Sequence, residues 1–255
     1  MSTKWLPCLD APTRLLSSMS KDHLNLIDNQ LLSALPTEEY KRLLPNLEFV
    51  SLNFKQIIYA PDEPIKYVYF PNSGIISLVN VTEDGRTVEA GMVGNEGMAG
   101  IPVFLGADKM PSLAISQVVG DAVRMKTDVF KREVTPSTSL YKQLLRYTQA
   151  LLNQISQSVA CNCLHPVEGR CCRWLLMCHD RVKSNQFMLT QELISQMLGV
   201  RRASVSEVAA TLQKAGLIRY SRGKITICDR QGLESASCEC YQVVKEEFDR
   251  LLGSY

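Results

Sequence analysis

The residues of this sequence best equipped to do chemistry lie toward its C-terminal end. Between Gly199 and Lys224 stand Arg201, Arg202, Lys214, Arg219, Arg222 and Lys224 against one acid, Glu207, which puts a +5 stretch in a chain of formal net charge +2. Arginine can bond guanine O6 and N7 bidentately, and serine can reach phosphates or base edges. Arg201, Arg202, Ser204 and Ser206 therefore read as candidate DNA contacts, and Arg222 and Lys224, on either side of Gly223, as backbone clamps.

Such contacts need elements to aim them. Thr190 can cap a helix whose first turn holds Gln191 and Glu192, with Leu193, Ile194 and Met197 on its apolar side. Leu198-Gly199-Val200 breaks that helix, and a second runs from about Arg201 to Ala215 with Val205, Val208, Ala209 and Leu212 turned inward. Two helices joined by a tight Gly-containing turn are the helix-turn-helix layout. Leu217 to Tyr220 and Lys224 to Cys228 alternate as strands around Ser221-Arg222-Gly223, a hairpin wing.

The thiols are the second set. Of nine cysteines, Cys8 stands alone at the front and the other eight lie at or after Cys161. Cys161, Cys163, Cys171, Cys172 and Cys178, with His165 and His179, are the residue types that hold zinc or iron–sulfur clusters. No C-x-x-C pair occurs, however, and adjacent Cys171 and Cys172 on a helix point about 100° apart. The expectation is buried apolar filler and no metal, with redox or metal sensing by Cys161 to Cys178 as the alternative. Cys238-x-Cys240 is expected to be a structural feature of a C-terminal helix ending near Leu252.

Upstream, helical spacing at residues 24–46, with Thr37 as a cap, gives way to short strand-like runs. These are Phe49 to Phe54, Gln56 to Ala60, Tyr67 to Phe70, Gly74 to Val81, Thr87 to Val93, Ala114 to Val119 and Ala122 to Lys126. Short strands at close spacing predict a jelly roll. A long helix follows Pro136 and carries two apolar stripes. Tyr141, Leu145, Thr148, Leu152, Ile155 and Val159 form one, and Leu140, Leu144, Tyr147 and Leu151 an adjacent one; one is for the roll and the other, with its heptad-like spacing, for a second copy in a two-fold dimer, the alternative being a helix buried on both sides within a monomer. The fold class is α+β: an N-terminal extension (1–24), a β-roll sensor with its helical lead-in (25–135), a dimerisation helix (136–163), and a winged-helix DNA-binding domain with a C-terminal helix (164–255).

This order of parts resembles the bacterial Crp/Fnr family of transcription regulators from about residue 25 to 230. The most specific stretches are Val93-Gly94-Asn95-Glu96-Gly97-Met98, Arg173-Trp174-Leu175-Leu176-Met177, Met197-Leu198-Gly199-Val200-Arg201-Arg202 and Cys238-Glu239-Cys240-Tyr241. The resemblance implies a homodimer on palindromic double-stranded DNA, with residues 201–214 as recognition helix and RNA polymerase as a further candidate partner. Where the family has Ser, Glu and a later Arg in that helix, this chain has Arg201, Ala203 and Glu207, whereas Arg202 matches the family Arg. Members that bind cyclic nucleotides hold the ribose with a Glu and the phosphate with an Arg; Ile101 and Pro111 stand there, with Lys109 the nearest charge. No cofactor is expected, and any effector is of unknown class.

Composition and motifs bound the function. At 45% hydrophobic and 21% charged residues the chain is neither a disordered tail nor a collagen-like repeat, and no apolar stretch approaches membrane-span length. A cytoplasmic location is expected, without a membrane partner. The cupin alternative for a jelly roll needs strand histidines, but His23, His165 and His179 lie outside residues 47–130, and no P-loop, G-x-S-x-G or G-x-G-x-x-G is present, so an enzyme is not expected. The sequence thus points to a DNA-binding regulator independent of cyclic nucleotides. The remaining alternative is an adaptor whose winged helix contacts protein.

Overall fold

The computed structural model describes residues 27–182 and 184–253; the expected extension 1–24, with Cys8 and His23, lies outside them. Asn29 opens the lead-in. Its side chain accepts the Leu32 amide to cap α1 (Gln30–Ser33) and donates to the carbonyls of Pro71 and Gly97, tying the lead-in to the roll. Thr37, expected as a cap, is instead the first residue of α2 (Thr37–Leu43), because Pro36 supplies the extended cap geometry and no side chain caps the helix.

The roll is two antiparallel sheets. Strands β1 (Glu48–Leu52), β2 (Ile57–Tyr59), β3 (Tyr67–Pro71), β4 (Ile75–Val81) and β5 (Thr87–Val93) precede a single helical turn, α3 (Ile101–Phe104). Then come β6 (Leu113–Val118), β7 (Gly120–Lys126) and α4 (Thr127–Glu133). One sheet has the order β1-β7-β3 and the other β2-β6-β4-β5. Phe70, Ile75, Ile76, Met92, Met98 and Met125 are wholly buried in its core. In the β4–β5 ladder Leu78 pairs with Gly91 but Val79 with Glu89, so β5 carries one extra residue, Ala90, as a bulge.

The long helix α5 (Ser139–Leu164) begins at Ser139 because Thr138 accepts the Tyr141 amide as N-cap and Glu39 accepts the amides of Ser139 and Leu140, both at 2.9 Å. Partial burial alone would raise the Glu39 carboxyl, but those amides hold it below the usual carboxylate range. Leu140, Leu144, Tyr147 and Leu151 are buried, and Gln154 reaches β5 by accepting the Met92 amide at 2.7 Å. The other stripe divides: Leu145 50%, Leu152 55% and Val159 62% are exposed at intervals of seven, whereas Tyr141, Thr148 and Ile155 are half-buried, Tyr141 against Phe104 and Ile155 beside Gly91.

Next comes α6 (Val167–Arg181), buried without interruption from Arg170 to Cys178. Its polar groups had to find partners inside the protein. Trp174 Nε1 donates to Glu89 on β5 at 2.9 Å, Gln117 on β6 approaches Cys178 Sγ at 3.7 Å, and Arg181 Nε pairs with Glu96 at 2.8 Å with both side chains under a tenth exposed. The remaining elements are β8 (Gln186–Met188), α7 (Gln191–Leu198), α8 (Arg202–Lys214), β9 (Ile218–Ser221), β10 (Lys224–Ile227), α9 (Arg230–Ala236) and α10 (Cys240–Leu252). Helix α10 runs alongside α5, where Asn153 Nδ2 donates to Glu247 Oε2 at 2.7 Å. No described helix is long and apolar enough to cross a membrane.

Glu89 is the titratable point of the α6 joint. Burial pushes its carboxyl up to about 7, although the Ser77 hydroxyl, the Trp174 indole and the Arg173 and Arg181 charges favour the ion. The folded chain thus holds this proton longer than the unfolded chain, whose value is near 4.5. Stability is unaffected below about 4.5, falls as pH rises toward 7, and carries the full cost of the buried charge above it. Glu89→Gln should remove that decline, gaining on the order of 1–3 kcal/mol over wild type between pH 5 and pH 8. Thermal melts across this range check it; parallel wild-type and variant curves would refute the assignment.

Candidate nucleic-acid interface

The basic stretch folds as a helix-turn-helix followed by a hairpin. Thr190 Oγ1 accepts the Leu193 amide at 3.1 Å and starts α7. Gly199 ends it at φ +62°, a left-handed position open to glycine, and the Val200 amide returns to the Ser195 carbonyl at 3.0 Å. From α6 the Arg170 guanidinium donates to the Leu198 carbonyl, which satisfies the buried end of α7 and fixes where α8 departs.

Helix α8 buries Val205, Ala209 and Leu212; Val208, expected inward, is half-buried. Its N-cap is Arg201, which makes no side-chain capping bond, so the first amides of α8 face outward beside two arginines. Arg201 and Arg202 are exposed, and the hydroxyl of half-buried Ser204 makes no hydrogen bond among the described residues. Ser206 departs from the sequence expectation of an exposed contact. It is half-buried, and its hydroxyl donates to Gln191 Oε1 at 2.8 Å and lies 3.1 Å from the Arg202 carbonyl, which makes it a brace between α7 and α8.

The wing turns on two residues. Ser221 pairs with Lys224, and the residues between them, Arg222 at φ +51° and Gly223 at φ +74°, adopt the doubly left-handed turn that matches strand twist in two-residue hairpins. Ile218, Ile225 and Ile227 point into the core while Arg219, Arg222 and Lys224 point out. The Gln213 side chain accepts the Tyr220 amide at 2.8 Å, locking wing to α8, and β8 adds a third strand to the hairpin. Arg201, Arg202, Lys214, Arg219, Arg222 and Lys224 are all exposed, and none forms a salt bridge among the described residues. Their field is therefore directed outward.

In the roll, Ile101 is buried beside Gly100, behind which the Tyr59 hydroxyl lies 2.9 Å from the Tyr67 carbonyl and 3.0 Å from that of Ala99. Pro111 and Lys109 are exposed on the following loop. A separate cavity of about 440 Å³ opens where the roll, α6 and α10 meet, lined by Glu96, Arg181, Arg230, Tyr241 and Phe248 among others.

The thiols of residues 161–178 do not come together as one group, the alternative to buried filler. Cys171, Cys172 and Cys178 are buried within α6, where burial pushes the first two thiols up to about 12 and the third well above the ordinary thiol value, and Cys163 is exposed. Cys161 instead meets His165, Cys238 and Cys240. Cysteine spacing within 161–179 does not signal this; the C-x-C at 238–240 is the available cue.

Residues 169–236 match the family model of the Crp-like helix-turn-helix domain. Over 183 residues, 69% of this chain and 82% of the relative, the sequence is 25% identical to a CRP-like cAMP-activated global transcriptional regulator of Mycobacterium tuberculosis. The fold is shared with FixK2 from Bradyrhizobium japonicum, at TM-score 0.64 and 18% identity over 75% of this chain and 98% of that one. It is shared too with a CRP-family transcriptional regulator from Thermus thermophilus, at TM-score 0.63 and 19% identity over 74% and 96%. From the mixed α and β roll through the long helix to the wing, the chain thus shares the fold of these CRP-family structures, is homologous over 183 residues to a CRP-like regulator, and carries a Crp-like helix-turn-helix domain at residues 169–236.

Proposed function

We propose that this protein is a sequence-specific DNA-binding transcription regulator that acts as a homodimer in the cytoplasm and does not depend on a cyclic nucleotide. The observation that carries the reading is the set of six exposed, unpaired cations on α8 and the wing, presented by a module whose interior is fully packed. In this reading residues 25–135 are the sensor roll, 136–163 the dimer seam and 164–255 the DNA-binding part. Arg201, Arg202 and Ser204 meet the major groove, Arg222 and Lys224 hold phosphates, and Ser206 keeps the two helices in register. Protein-only contact by the wing is the rival reading; steep loss of affinity for random duplex DNA between low and high salt separates the two.

The exposed stripe of three residues at seven-residue intervals supports the dimer, because a two-fold axis along α5 would set each of Leu145, Leu152 and Val159 against its own copy. Two such subunits would read half-sites about 34–36 Å apart. Leu152→Glu should bring two carboxylates together in the seam and weaken self-association by roughly 100-fold, about 3 kcal/mol. Light scattering at micromolar concentration measures it, and an unchanged mass would remove the seam from α5.

Base readers and backbone clamps differ in what their loss does. Arg202→Ala should weaken a selected operator by about 1–3 kcal/mol and relax preference at one base position. Arg222→Ala should weaken all sequences alike and reduce the salt slope by about one. Binding isotherms on operator and scrambled duplexes at several salt concentrations distinguish them; equal, sequence-independent losses would mean that α8 is not the reading element.

Independence from cyclic nucleotides is supported by the buried apolar Ile101 and by Pro111, neither of which offers a charge to a phosphate taken from water. Titration calorimetry should give no saturable micromolar heat with cyclic AMP or cyclic GMP. A saturable response that disappears in Lys109→Ala would show the loop pairing with the phosphate.

A further inference from the structure

Two parts of the chain that are 77 residues apart meet through their softest ligands. Cys161 lies in the last turn of α5 and His165 at its C-cap, while Cys238 and Cys240 flank Glu239 where α10 begins. Cys161 Sγ is 3.4 Å from Cys238 Sγ, Cys240 Sγ is 3.4 Å from His165 Nδ1, and all four ligand atoms lie within 4.8 Å of one another. Cys161 and Cys240 are buried; His165 and Cys238 are half-buried.

The surroundings suit the group as well. The far ring nitrogen of His165, Nε2, lies 3.1 Å from Glu239 Oε1, the carboxylate-on-imidazole arrangement that orients a metal-binding histidine. Gln157 Nε2 lies 3.0 Å from Cys240 Sγ and can donate to a thiolate. The Arg170 and Arg173 charges act on Cys161 from α6. Three thiolates around a divalent ion leave one net negative charge, which these guanidinium groups offset.

We propose that Cys161, His165, Cys238 and Cys240 form a tetrahedral site for one zinc-class divalent ion that fastens the start of α10 to the end of α5. Metal–sulfur bonds of about 2.3 Å and metal–nitrogen bonds of about 2.0–2.1 Å place neighbouring ligand atoms roughly 3.4–3.8 Å apart, so the group needs only a small contraction to close. Four protein ligands leave no open position, which makes the ion structural and not hydrolytic. Thiolates on a [4Fe–4S] cluster bind separate irons and stand wider apart than a group this tight. Hard ions that prefer oxygen are disfavoured by three sulfurs. The ion cross-links the helix that ends the sensor half to the helix that ends the DNA-binding half, and this assignment stands whether or not the proposed operator binding holds.

The test uses the full chain, purified under reductant without chelator or polyhistidine tag. Elemental analysis should find about one zinc-class ion per chain, and the stripped protein titrated with cobalt(II) should develop the intense visible bands and sulfur-to-cobalt charge transfer of a tetrahedral thiolate site. Cys240→Ser and the Cys238→Ser/Cys240→Ser double variant should lose that spectrum, whereas Cys163→Ser and Cys228→Ser, at exposed cysteines outside the group, should keep it. His165→Cys retains four ligands and should bind with stronger charge transfer, which separates a lost ligand from a lost fold; circular dichroism is recorded for each variant. Three results overturn the proposal: a folded, reduced wild-type chain that takes up no cobalt, a cobalt spectrum that survives in the double variant, or a Cys161–Cys238 disulfide in metal-poor protein isolated without reductant.

Discussion

From Arg170 to Cys178 helix α6 gives no side to water, and the architecture follows from how its polar groups are satisfied. A buried guanidinium or indole left unpaired costs more than the net gain from pairing it, so each such group admits few arrangements of its neighbours. Arg181 requires Glu96 from the turn after β5, Trp174 requires Glu89 from β5 itself, and Arg170 requires the carbonyl at the end of α7. The first two contacts hold the roll and the third holds the helix-turn-helix. One helix thereby sets the positions of the roll and the helix-turn-helix together, and removing one partner of the Arg181–Glu96 pair would strand a charge at a cost of about 3–5 kcal/mol.

Helix α5 divides its circumference in a related way. One strip rests on β5 through Leu151 and Gln154, another meets α10 through Asn153 and Gln157, and the strip of Leu145, Leu152 and Val159 is left to solvent. The two covered strips place α5 between the roll and the C-terminal helix, so its exposed strip has a fixed direction relative to α8. The exposed cations of α8 and the wing and the open strip of α5 lie on separate faces, each exposed as the chain stands.

Local signals make much of this legible. The Thr190 cap, the Gly199 break and the alternation around Arg222-Gly223 act within a few residues, and the elements they announce are present. Strand β5 matches the Thr87 to Val93 run because turn formers flank it on both sides. The short helices α3 and α4 do not show in the sequence, since one or two turns carry too little periodicity to separate from loop. Strand β8 is hidden for a related reason: three residues acquire strand character only by pairing with β10. The brace at Ser206, the α10–α5 contact and the meeting of Cys161 with Cys238 depend on partners far away in sequence, which spacing within one segment cannot encode. The Val93 to Met98 stretch reads in the sequence as a family likeness; its physical content is Glu96, reached by Arg181, and Gly97, where any side chain would run into the Tyr147 ring.

The bulge in β5 has a consequence for how that strand meets the rest of the chain. Successive side chains of a strand leave on opposite faces, so Glu89 can meet Trp174 of α6 while its neighbour Val88 lies against Gly199 at the elbow between α7 and α8. The extra residue at Ala90 is left out of the pairing, so residues 87–89 keep the faces of their β4 partners, Glu89 opposite Val79 and Val88 opposite Asn80. Deleting that single residue would leave those pairs in register and remove only the local bend and added twist of the bulge. The bulge therefore bears on the bend of the strand that carries both contacts, and the pairing with β4 on which face each side chain takes.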